Sequence, residues 1–111
     1  MAIKKNPLDV SLSVRLNASG NGTVKLGPTS ANQTWNVTNA AVSVSTNTLE
    51  PTAVLYLNSK ASKLAGTYTG SNDSTGLDET LRNGFIICEW TGGDPGAIAT
   101  LSLQGSIKVG A

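Results

Sequence analysis

The stretch ICEWTGGDPGAIATLSLQGSIKV, residues 87–109, decides how this chain folds. Ala97, Ala99, Leu101, Leu103, Gly105, Ile107 and Val109 share one side of an alternating run, with Ile98, Thr100, Ser102, Gln104, Ser106 and Lys108 on the other. A two-residue period of this kind is a strand with one buried face. Fully extended, the run would span about 40 Å, longer than most strands, so a bend or bulge is expected near Gly105. Just upstream, FIICEW is almost continuously apolar, which predicts a central strand.

Gly92-Gly93-Asp94-Pro95-Gly96 separates the two runs. A phosphate cradle would need a helix opening at the last glycine and a Lys followed by Ser or Thr, but Ala97, Ile98 and a strand come next. The knot is therefore read as a corner. Asp can bond nearby backbone, Pro presets φ, and Gly takes conformations closed to other residues.

The same alternation recurs upstream. Leu8, Val10, Leu12, Val14 and Leu16 alternate with Asp9, Ser11, Ser13 and Arg15, predicting a long strand. Asn21-Gly22 turns the chain into a short strand ending at Leu26, before Gly27-Pro28. QTWNVT and AAVSVST predict two further strands with a bend near Asn39, and AVLYLN predicts another after Glu50-Pro51. Residues 59–79 are polar and turn-rich, and read as a long loop or protrusion, extended only at 67–69. LDETLR fits either one helical turn or a short strand. A single-domain, all-β sandwich of Greek-key or jelly-roll type with seven to nine strands follows.

Composition narrows function. Ser, Thr and Asn outnumber Leu, Val and Ile, and there are 12 glycines, a mix suited to strands and turns. Eight basic and seven acidic residues give a net charge of +1, and Lys4-Lys5 is the densest basic pair. Nucleic-acid binding would need a basic footprint that this chain lacks. No apolar run reaches membrane-spanning length, and MAIKKNP has no secretory apolar stretch, so no membrane partner and synthesis in a cytosol are expected.

The single cysteine, Cys88, excludes an internal disulfide, and it alternates in phase with Ile86 and Trp90 as a small buried hydrophobe. With no histidine, hydrolytic triads and His-bearing metal sites are excluded within this chain. Asp73, Asp78 and Glu79 with Asn72 form the one local acidic cluster, but their spacing fits no calcium loop and they are read as solvated. A carboxylate pair of Glu89 with Asp94 is the remaining enzymatic candidate. No catalytic residue, metal ligand or cofactor is assigned. Trp35 and Trp90 alternate with buried positions and are expected to pack inward. Tyr56, on the opposite side of its strand from Leu55 and Leu57, and Phe85 with Ile87 are expected on an outer, partner-covered face, with Tyr68 on the loop.

IKKNPLDVSLSVRL, AVSVSTNTLEPTAVLYLN and LRNGFIICEWTGGDPGAIATLSLQGSIKV together resemble the small virion accessory proteins of tailed double-stranded DNA bacteriophages, particularly those infecting actinobacteria. The resemblance implies a β-sandwich of the virion. Its function is then either capsid decoration, clamping major capsid subunits on the shell exterior, or a tail or tail-tip module for host cell-wall carbohydrate. Its partners would be the major capsid protein and copies of itself, with a homotrimer among the assemblies implied. Residues 1–7, carrying Ile3, Lys4, Lys5 and Pro7, are expected as a flexible arm that orders on a neighbouring subunit, ahead of a sandwich over 8–111.

Overall fold

The computed structural model describes residues 4–28, 32–67 and 69–109, and within these not the side chains of residues 4, 5 and 65–67. Eight strands follow one another: β1 (Lys4–Arg15), β2 (Gly22–Leu26), β3 (Gln33–Val44), β4 (Thr52–Leu57), β5 (Lys63–Thr67), β6 (Asn72–Leu81), β7 (Ile86–Thr91) and β8 (Ile98–Val109). They form two four-stranded sheets, ordered β1-β8-β3-β6 and β2-β7-β4-β5, with every neighbouring pair antiparallel.

The order has a simple origin. β1 pairs β8, β2 pairs β7, β3 pairs β6 and β4 pairs β5, so the chain is one long double strand folded back at the β4–β5 hairpin. Wrapping that ribbon brings β3 against β8 and β4 against β7, which closes each sheet. This is the eight-stranded jelly roll, two interleaved Greek keys. The expected sandwich is the one observed.

Alternation fills the space between the sheets. Trp35, Val37, Ala40, Val42, Ala99, Leu101 and Leu103 from the first sheet meet Val24, Ala53, Leu55, Ile86, Cys88 and Trp90 from the second, all buried. The Trp90 indole N–H donates to Gly70 O at 3.1 Å, satisfying its polar handle, while the buried Trp35 Nε1 has no partner among the described residues. β1, β3 and β8 are each 12 residues long while β2 and β5 have five, so the molecule is elongated, 52 × 25 × 21 Å.

The bend expected near Gly105 is present. Val37 pairs Gly105 and Asn39 pairs Gln104, which leaves Thr38 as the extra residue of a bulge. The bulge also shifts parity, so β3 buries Trp35 and Val37 before it but Ala40 and Val42 after it. One continuous strand thus replaces the two expected for QTWNVT and AAVSVST. Gly105 has φ +157°, and a Cβ there would lie 1.9 Å from Asn36 O.

Two expectations are corrected. Residues 59–79 are not a loop but carry β5 and most of β6. The β6 residues on the core side are Asp73, Thr75, Leu77, Glu79 and Leu81, mostly polar because an edge strand leaves them half-exposed, so no apolar alternation marks it. LDETLR, which by sequence fits either a helical turn or a strand, is strand through Leu81. At the N-terminus, Lys4–Pro7 of the expected arm lie in β1, opposite Val109, Lys108, Ile107 and Ser106, because β8 runs far enough to supply ladder partners.

Gly105→Ala is expected to destabilise the domain by more than about 1 kcal/mol, since the new methyl group must displace Asn36 backbone. Denaturant titration checks this, and a midpoint unchanged from wild type would show the bulge adapting without cost.

Candidate interaction surface

The corner formed by residues 92–96 ties together one end of the sandwich. Gly93 N–H donates to Gly20 O, Ala97 N–H closes a turn onto Asp94 O, and Gly96 has φ +82°. A Cβ on Gly20 would fall 1.9 Å from Gly93 O, so two loops touch backbone to backbone there. The Asp94 carboxylate accepts from the amides of Thr48 and Leu49, each at 2.8 Å, and so pins the β3–β4 loop. The Leu49 amide first, and the Thr48 amide with it, hold the Asp94 carboxyl below its ordinary value. The knot is a corner, as its turn residues indicate, with a clamp that its sequence does not announce.

The carboxylates considered for chemistry are dispersed. Asp73 and Glu79 lie on one side of β6 and Asp78 on the other, so the strand pulls the apparent acidic cluster apart. Glu89 is on the outer face of β7, ion-paired with Lys60, and Asp94 is committed to the corner. Among the described residues no three His, Cys, Asp or Glu side chains gather where they could hold a metal ion. Cys88 is fully buried, and desolvation, reinforced by the neighbouring Glu89 charge, pushes its thiol up to about 12.

The outer face of the β2-β7-β4-β5 sheet brings the expected aromatics together. Tyr56 and Ile87 are cross-strand partners, and Phe85, just ahead of β7, joins the same face through its contact with Lys25. The Asn58 amide donates to Phe85 O and its side-chain oxygen accepts from the Phe85 amide, which anchors the approach to β7. Lys25, opposite Ile87 on β2, places Nζ 5.0 Å from the Phe85 ring centroid. Such a cation–π contact contributes about 0.5–1 kcal/mol at an exposed site.

Ile87 itself is only 5% exposed, flanked in register by Lys25 and Tyr56, so it supports the patch from beneath. Of the other expected contacts, Pro7 is exposed on β1 opposite Ser106, and Lys4 and Lys5 are strand residues whose side chains are not described. Ile3 and Tyr68 lie outside the described residues. Lys25 and Lys60 do not stand out in the sequence, whereas Glu89 does, as a carboxylate weighed with Asp94. Alternation after Val24 puts Lys25 outward, but its meeting with Phe85 depends on the β2–β7 register.

The other outer face, on β1-β8-β3-β6, is a broad polar surface. Asn39 donates to Gln104 at 2.8 Å, Gln104 donates to Asp9 at 3.4 Å, and Ser13 and Thr100 share a 2.7 Å bond, linking strands by side chains. An open cleft of about 690 Å³ is lined by Leu57, Asn58 and Arg82 among others. No family model and no curated protein matches this chain.

Two measurements follow from these groups. Asp94→Ala should speed amide exchange at Thr48 and Leu49. In the wild type the clamp holds above the ordinary carboxylate range and weakens only as pH falls through the lowered Asp94 value; unchanged exchange in the variant would show the loop is held otherwise. Cys88 should resist maleimide at neutral pH in the folded protein. Its burial also makes stability fall as pH rises from the ordinary thiol value of 9.0 toward about 12, because the unfolded chain ionises first. Rapid labelling of native protein would contradict this.

Proposed function

We propose that this chain is a structural component of a tailed-phage virion, a decoration protein that binds the outer shell and ties neighbouring major capsid subunits together. The observation carrying this reading is the outer face around Tyr56 and Phe85. Two aromatic anchors are framed there by Lys25, Lys60, Lys63 and Glu89, an arrangement of aromatic centre and polar rim suited to a protein partner. With three lysines to one glutamate the face favours an acidic surface on that partner. A contact of roughly 800 Å² per partner gives specific binding, and repetition over a shell multiplies it.

The groups an enzyme would draw on have other work: Cys88 fills the core, Asp94 pins a loop and Glu89 pairs with Lys60. The phage-like character of the sequence supplies the particle context. A glycan-binding tail module, presenting Tyr56 or Tyr68 beside a loop over residues 59–79, is the second reading, but β5 and most of β6 occupy that segment.

Purified chain added to particles that lack it should cosediment with them and add density to the shell in cryo-electron micrographs. Tyr56→Ala with Phe85→Ala should cut occupancy by about tenfold or more while the circular dichroism spectrum stays native. Added density at the neck or tail, or saturable binding to host cell-wall glycan with none to shells, would overturn the proposal.

A further inference from the structure

We propose that the open edge of β1 is a self-docking site, at which two copies of the chain pair β1 against β1, antiparallel, about a twofold axis at Leu12. This goes beyond the shell-binding reading and does not depend on it.

β1 ends its sheet, with β8 on one side and, among the described residues, no strand on the other. Its backbone polarity is fixed by two bonds at its end: Leu16 N–H donates to Ala97 O at 2.8 Å, and Gly96 N–H donates to Leu16 O at 2.9 Å. Backbone groups alternate in direction along an antiparallel strand. Leu8, Val10, Leu12 and Val14 therefore turn theirs toward β8 like Leu16, and Asp9, Ser11, Ser13 and Arg15 turn theirs to the open edge. Pro7, which has no N–H to offer, shares the parity of the open side, where proline is tolerated.

A second copy can add to this edge only in a register that keeps both core-facing sides together. Centred on Leu12, the pairing sets Asp9 opposite Arg15 of the second copy, Ser11 opposite Ser13, Val10 opposite Val14 and Leu8 opposite Leu16. Each relation occurs twice by symmetry. Centring on Ser11 would set Arg15 against Pro7, and centring on Ser13 would set Asp9 against Asn17, beyond the strand. The Leu12 register alone matches opposite charges at both ends.

It also accounts for the most exposed apolar side chain in any strand described. Leu12 is 44% exposed although its ladder partner Leu101 is fully buried. At the axis Leu12 forms a non-hydrogen-bonded pair with its own copy, the arrangement in which facing side chains come closest, and each covers the other. The Asp9–Arg15 and Ser11–Ser13 pairs are the hydrogen-bonded ones, and each exchanges both backbone bonds. Within one chain the contacts of Asp9 and Arg15 among the described residues are long, at 3.4 Å from Gln104 Nε2 and 3.5 Å to Gly96 O.

The other three edges are less fit for this. β2 and β5 have five residues each, and β5 departs from regular register against β4 between Leu55 and Tyr56. β6 carries Asp73, Asp78 and Glu79 with no basic residue, so its self-pairing opposes like charges.

Sedimentation velocity from micromolar to millimolar chain concentration tests the proposal. The wild type should shift to twice the chain mass. Ser11→Pro removes an edge N–H and no bond to β8, and should leave a native circular dichroism spectrum with a monomer mass. Asp9→Arg and Arg15→Asp should each weaken association by about tenfold, and the two together should restore it. A wild type that stays monomeric or forms trimers, or a natively folded double variant that stays weak, would overturn the proposal. If Ser11→Pro fails to fold, the charge exchange still decides.

Discussion

The ladder between β3 and β8 is the contact on which the rest of the molecule depends. Without it the chain would be a long two-stranded ribbon with one apolar side exposed; with it, the ribbon is wrapped and two sheets face each other. β8 pairs along its whole length with β1 on one side and β3 on the other, and its inward Ala99, Leu101 and Leu103 are fully buried. The small Ala99 lets the sheets approach, while Leu101 and Leu103 supply the apolar area. The bulge at Thr38, made possible by the missing side chain at Gly105, lets a 12-residue pairing stay in register with a core on one side throughout.

How much of this is legible in the sequence follows from how each strand is buried. β1, β7 and β8 are written plainly, because each carries apolar residues at every second position or continuously. The bend at Gly105 is legible from length alone. β6 is hidden, since a strand at an open edge satisfies its backbone through β3 and needs little apolar surface of its own. The strand character of Lys4–Pro7 is hidden for a related reason: it comes from the reach of β8, which no local pattern reports. For the surface, alternation puts Tyr56, Phe85 and Ile87 outward, but the cover over Ile87 and the approach of Lys25 to Phe85 are properties of register between distant strands. The role of Asp94 is similar, because its two amide partners lie more than 40 residues away.

The arrangement separates tasks among surfaces. The interior holds the molecule together with aliphatic side chains and Trp90. One end is fastened by the corner and its Asp94 clamp, one outer face carries aromatics in a charged frame, and the edge of β1 sets Asp9 with Arg15 where that of β6 is acidic. Nothing in this division requires a moving part. For the proposed adhesive role, such rigidity lowers the cost of ordering at an interface.

Hydrogen exchange of the backbone amides, read residue by residue, tests the wrapped two-sheet account most directly. Strand β8, paired on both sides and covered by the second sheet, should hold the slowest amides in the protein across residues 99–103, exchanging only on global unfolding. The outward amides of β6 should exchange far faster. Exchange in β8 as rapid as at the β6 edge would mean that β3 and β8 do not close the sheet, and the fold described here would be wrong.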